Sequence, residues 1–159
     1  MTTTLHHFAA YGLWANTRFV ERLDTVPDAT LDAPVASSFP SLRATLLHIR
    51  DAEHTWWGRL TGERTNWPAE AERSVRTLLP HAQRFHDLVR SMDEAALRAT
   101  RTYHDLRGNA HTQPAWMMVM HCINHGTQHR GQLITMMRSL GLDGIPANDM
   151  VVFQRALGG

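Results

Sequence analysis

Three of the chain's histidines recur at intervals of four: His121, His125 and His129. Residues four apart on a helix stack on one face with Cβ atoms about 6 Å apart, so two adjacent imidazoles can converge on one ion. The outer pair cannot do so, because about 12 Å of helix rise separates it while Zn–N bonds are about 2.0–2.1 Å. The run therefore offers two ligands, either His121 with His125 or His125 with His129. Any further ligand must come from elsewhere in the chain. The competing reading of the same stripe is a row of neutral histidines satisfied by hydrogen bonds.

The element that positions these residues reads as one helix from Pro114 to Leu140. Proline is tolerated in a first turn, and Gly141 supplies a C-terminal stop. Such a helix is roughly 40 Å long and must cross the whole domain. Its two ends are apolar, from Trp116 to Met120 and from Leu133 to Leu140, yet no large apolar residue lies between Asn124 and Gln132. A helix crossing a core cannot lose its buried face for two turns unless something polar is buried there with partners.

Three further helices are expected. The first runs from Leu5 to Leu23, with Leu5, Phe8, Ala9, Leu13, Phe19, Val20 and Leu23 at helical spacing. After a Pro- and Asp-rich linker to Pro40, the second begins at Ser41 as N-cap and ends before Gly62. Its apolar stripe of Leu42, Leu46, Ile49 and Trp56 is interrupted by Glu53, and His48 has small residues, Ala44 and Ala52, four positions to either side. The third starts near Thr77, with Pro80 in its first turn or at a kink, and carries Leu78, Ala82, Phe85, Leu88, Val89 and Met92. Asp93 is placed to cap a short turn through Leu97. Thr100–Tyr103 has a strand-like flavour before the Gly108–Asn109 turn, without compelling a hairpin, and the segment from Asn148 to Ala156 is of undetermined type.

Four amphipathic helices in one chain of this length give an all-α, four-helix-bundle domain over residues 1–159. The connections of about a dozen residues or more allow crossovers in place of simple up-down order. A formal charge of +1 gives no electrostatic reason to expect nucleic acid. One cysteine, Cys122, rules out an internal disulfide framework. No signal peptide or membrane span is legible, so a cytoplasmic, soluble protein is expected.

In a bundle, ligands project inward from facing helices, and His48 is the best outside partner for an adjacent pair on the last long helix. Three imidazoles and an open position form a catalytic pattern, since structural zinc sites usually carry four protein ligands. Tyr11-Gly12-Leu13-Trp14-Ala15-Asn16, the run Ser41–His48 and Asn124-His125-Gly126-Thr127-Gln128-His129-Arg130-Gly131-Gln132 together resemble the signatures of the DinB/YfiT-like superfamily of metal-dependent enzymes. Asp149 resembles an aspartate common near the C-terminus of that superfamily, while Gln128 stands where an aromatic residue or histidine is usual. The resemblance covers nearly the whole chain and implies that His48, His125 and His129 bind a divalent transition metal, with zinc or nickel expected. It also implies a bundle with a long overhand connection and, frequently, a homodimer.

His121 then falls one turn before the pair as a pocket or proton-relay group, and Gln132 is placed to hydrogen-bond a ligand. These two are the candidate catalytic residues beside the metal set. Cys122 reads as a small buried hydrophobe in preference to a soft ligand. Gly131 points to a close backbone approach, and Arg130 is expected to face away and pair with Asp149. The resemblance implies small-molecule chemistry, foremost transfer of a low-molecular-weight thiol such as bacillithiol, mycothiol or glutathione. Alternatives are hydrolysis by activated water and a non-catalytic metal- or small-molecule-binding stress protein. Neither nucleic acid nor membrane is an expected partner.

Overall fold

The computed structural model describes residues 1–158. Its elements are α1 (Thr2–Leu23), α2 (Asp28–Leu31), α3 (Leu42–Thr61), a 3-10 turn (Val75–Thr77), α4 (Leu78–Ser91), α5 (Glu94–Arg98), β1 (Thr100–His104), β2 (Ala110–Pro114), α6 (Ala115–Ser139) and α7 (Met150–Leu157). Helix boundaries follow local chemistry. The Ser41 hydroxyl accepts from Ala44 N at the start of α3, and Gly62, at φ 84°, takes the left-handed conformation that ends it. Asp93 caps α5 through Ala96 N. Pro80 lies in the first turn of α4, where its missing N–H is harmless, so no kink is needed.

The four long helices form an all-α bundle in which α1 packs on α4 and α6, and α3 packs on the same two. Successive helices α1 and α3 therefore lie across a diagonal, as do α4 and α6, and the connections between them cross an end of the bundle. The connection from α4 to α6 contains the only sheet among the described residues, an antiparallel hairpin pairing Thr100 with Pro114 and His104 with Ala110. The strand-like stretch Thr100–Tyr103 is thus realised as part of β1.

The apolar core is divided. One cluster, with Leu5, Trp56, Phe85, Val89, Met118 and Val119, fills one end. The other, with Phe19, Leu42, Leu46, Leu78, Leu133 and Met136, fills the opposite end. Between them lies the apolar-poor window of α6, where Arg130 is 1% exposed and Asn16 fully buried. Arg130 Nη1 donates to Asn16 Oδ1 at 2.8 Å, and Asn16 Nδ2 donates across the diagonal to Glu53 Oε1 at 2.8 Å. The interruption at Glu53 in the α3 stripe and the polar window of α6 thus belong to one buried network.

That network corrects two expectations. Arg130 does not face away toward Asp149; it turns into the bundle because Asn16 and Thr127 Oγ1 accept from it and Tyr11 presents a ring face 5.5 Å away. Nor does Gly131 admit another backbone: it is exposed, and a Cβ there would meet nothing within 4 Å. The glycine with a packing reason is Gly126, whose Cβ would stand 3.0 Å from Arg130 Nη1.

Two buried arginines on α3 hold the long loops. Arg43 pairs with Asp28 and Asp32 and donates to Arg73 O at 3.0 Å. Arg50 bonds Asp51, the Thr77 hydroxyl and the carbonyls of Glu70 and Glu72. Gly58 permits the second loop to lie close, since a Cβ there would be 2.8 Å from Glu63 O. No described helix is long and apolar enough to cross a membrane.

Truncating fully buried Leu46 to Ala should lower unfolding free energy by about 2–5 kcal/mol. Removing the cap with Ser41→Ala should lower it by about 0.5–2 kcal/mol. Urea denaturation of both variants checks the ranking, and a cap variant as damaged as the core variant would contradict it.

Candidate metal centre

His48 on α3 faces His125 and His129 on α6. Their ligand nitrogens all lie within 4.8 Å of one another. His125 Nε2 stands 2.9 Å from His48 Nε2 and 3.1 Å from His129 Nε2. Both separations are within a few tenths of the roughly 3.3 Å edge of a tetrahedron built with Zn–N bonds near 2.05 Å. Other histidines do not join the cluster: His54 and His81 face each other elsewhere, at 5.0 Å between ring centroids.

The protons of these rings can be traced. His129 Nδ1 lies 2.8 Å from Gln132 Oε1, while Gln132 Nε2 donates to the Ser38 hydroxyl at 2.8 Å. Nδ1 of His129 therefore carries the hydrogen, and its Nε2 presents a lone pair to the cluster. His125 Nε2 holds one hydrogen at most, so neutral rings cannot make full hydrogen bonds of both contacts. If it is protonated it serves one neighbour; if not, its lone pair opposes that of His129. Extra protons do not resolve the conflict. Burial, and then the nearby His129, hold His48 down to about 4. Burial, His129, His48 and His121 hold His125 down to about 3. Three converging ring nitrogens, two of them on rings that burial holds neutral, suit a divalent cation.

Aromatic side chains from the anchored loops close the cluster. The Phe39 ring is 4.1 Å from that of His48 and 5.4 Å from that of His129, and Trp67 meets His48 edge-on at 5.7 Å. Beside the histidines is a cavity of about 160 Å³ lined by His48, Ala52, Thr55, Trp56, Arg59, Trp67, Leu106, His121 and His125. His121 packs 4.7 Å from Trp56 and nearly parallel to His125 at 6.1 Å, outside the three-ring cluster. Burial and Arg59 hold its pKa below the ordinary value. Cys122 is buried in the core and its thiol is pushed well up by burial, so it offers no ready thiolate.

The DinB family model matches residues 1–155. The chain belongs to the DinB family. It is also 25% identical over 149 residues to Protein DinB of Bacillus subtilis (strain 168), covering 87% of each chain. The runs that carried the resemblance are the ones that build this region. Asn16 and Arg130 join the buried network, and His48, His125, His129 and Gln132 meet at its side.

Phe39, Trp67 and Arg59 were not singled out from sequence. The first two lie in loops whose path depends on Arg43 and Arg50, and Arg59 lies in the last turn of α3. An aromatic stranded in each polar loop was the available signal. A larger apolar cavity of about 340 Å³, between α1, α6 and α7, is lined by Leu5, Phe8, Tyr11, Met120 and Ile123 among others and contains none of the cluster histidines. Its lining offers no comparable convergence of donors.

The depressed histidines make metal-free protein acid-sensitive. Between pH 6.5 and about 4 the unfolded chain binds protons at positions 48 and 125 that the folded chain refuses, so their contribution to stability declines as pH falls through that window. Glu53 acts in the opposite sense. Burial raises it from 4.5 to about 7 against the pull of Asn16 and Arg130, so its contribution declines as pH rises through that interval. Urea midpoints followed from pH 8 to pH 4 in chelator should show a shallower acid loss in His48→Gln/His125→Gln than in the parent; identical pH slopes would contradict the assignment.

Proposed function

We propose that this DinB family member holds a divalent transition metal through His48, His125 and His129 and transfers a small thiol to an electrophile. The observation that carries the reading is the convergence of three ring nitrogens beside a cavity whose wall includes His48 and His125. A metal with three imidazole ligands and a free position supplies Lewis acidity, bringing a thiol or water into its reactive deprotonated range near neutral pH.

The chain's own groups then have distinct tasks. Gln132 orients His129 and fixes its tautomer, the service that hydrogen-bonded partners commonly give to ligating histidines. Phe39 and Trp67 pack against His48 and keep water from its ring faces. His121 lines the cavity as a free base near neutral pH, able to receive the thiol proton and return it to the leaving group. The sulfur forms its new bond to the electrophilic carbon as that carbon's bond to the leaving group breaks. Thiol transfer is favoured over hydrolysis because the cavity lining includes no carboxylate to serve as a general base for water.

Plasma mass spectrometry of untagged protein should find near one equivalent of transition metal, lost in His48→Ala and in His125→Ala. Gln132→Ala should retain the fold and weaken metal affinity about 10–100-fold. The loaded protein should conjugate thiols to monochlorobimane, with activity abolished in His125→Ala. A parent protein that takes up neither zinc nor nickel on reconstitution would remove the basis of the reading.

A further inference from the structure

The cavity at the histidines continues outward. A second hollow, of about 330 Å³, shares Thr55, Arg59, Trp67 and Leu106 with it and extends along β1 at Thr102, Tyr103 and His104. Arg59 stands at the junction. Its guanidinium lies 4.5 Å from the Trp56 ring and 4.8 Å from the Tyr103 ring. Nη2 donates to His104 O at 3.2 Å, and among the described residues no other acceptor meets the group.

The two loop-holding arginines of α3 are paired with carboxylates: Arg43 has Asp28 and Asp32, and Arg50 has Asp51 and two carbonyls. Arg59 is half-buried, and among the described residues no carboxylate lies within 4.0 Å of it. Burial pulls its pKa below the ordinary value, and Tyr103 and Asp105 only oppose that pull. It nevertheless remains charged at any physiological pH. The two aromatic faces hold the planar group in place, which lowers the entropy lost when its free N–H groups engage an acceptor. In the outer lining, Arg64 adds a second cation and Glu63 supplies an acid.

A half-buried cation with a free fork, at the mouth of a reactive cavity, is what recognition of a planar anion requires. We infer that Arg59 is the anion-recognition residue of this site and that its substrate is a small carboxylic acid, with the carboxylate on Arg59 and the reactive end toward His48 and His125. The inference rests on the site reading proposed above, although the carboxylate preference can be tested without thiol chemistry. A carboxylate matches a single guanidinium in charge and in its two in-plane oxygens.

Isothermal titration of the metal-loaded protein with two acid–amide pairs tests this: N-acetylcysteine against its amide, and N-acetylalanine against its amide. Each acid should bind about tenfold or more tightly than its amide, since a charge-assisted fork is gained. Arg59→Gln should bring both ratios close to one while metal content stays unchanged, and Arg59→Lys should restore part of the preference. Equal binding of acid and amide by the parent, no saturable binding of either acid, or a preference that survives Arg59→Gln would each overturn the inference. Equal binding of N-acetylcysteine and N-acetylalanine would instead remove the thiol reading and leave the carboxylate assignment standing.

Discussion

The structure depends on one constraint: α6 passes through the middle of the bundle with no large apolar side chain between Asn124 and Gln132. Polar groups buried there must find partners or forfeit their hydration. The helix meets this demand on two faces. His125 and His129 turn toward His48 on α3, and Arg130 turns toward Asn16 on α1 and, through it, Glu53. The two main apolar clusters consequently lie on either side of a polar layer, with a third, smaller one at Tyr11, Ala15 and Phe153. The Asn16–Glu53 bond spans a diagonal of the bundle, so the layer also limits how α1, α3 and α6 can slide past one another.

Around that layer, rigidity comes from arginine. A guanidinium can bond several acceptors at once in a fixed plane. Arg43 and Arg50 use this capacity to tie both long loops onto α3. The ties place Phe39 and Trp67 against His48, converting two irregular segments into walls of the site. Loops of such length would otherwise sample many paths, and an aromatic wall would be present for only a fraction of the time. The hairpin contributes similarly, since Tyr103 and the His104 carbonyl steady Arg59.

Electrostatics keep the cluster ready for a cation. Burial and mutual proximity hold His48 and His125 unprotonated, while Gln132 sets the His129 tautomer. The same desolvation that excludes protons from these rings strengthens any interaction a bound ion would make with them. Burial, and then nearby Arg59, lower the affinity of His121 for a proton, so the cavity combines a free base with a fixed positive charge. The fixed positive charge makes that cavity more favourable for an anion than for a cation.

Most of this architecture was written locally. Helical spacing, the Ser41 cap, the Gly62 stop and the Asp93 cap act over a few residues, so the long helices are legible with small errors at their ends. The four-residue interval alone puts His125 and His129 on one face, and the missing apolar stripe announces a buried polar layer. Undecided segments became strand and helix only where a partner existed: β1 against β2, and Phe153 of α7 against Tyr11 and Trp14. Interhelical register lies beyond local spacing, because it is set by how the ridges of different helices interlock. Packing brought His48 to the pair, turned Arg130 inward to Asn16, left Gly131 on the surface and set Arg59 at the cavity mouth. The sequence by itself therefore determined which faces were apolar and which were polar. The tertiary structure decided which polar groups met, since the Arg130–Asn16 and Asn16–Glu53 bonds each join two different helices.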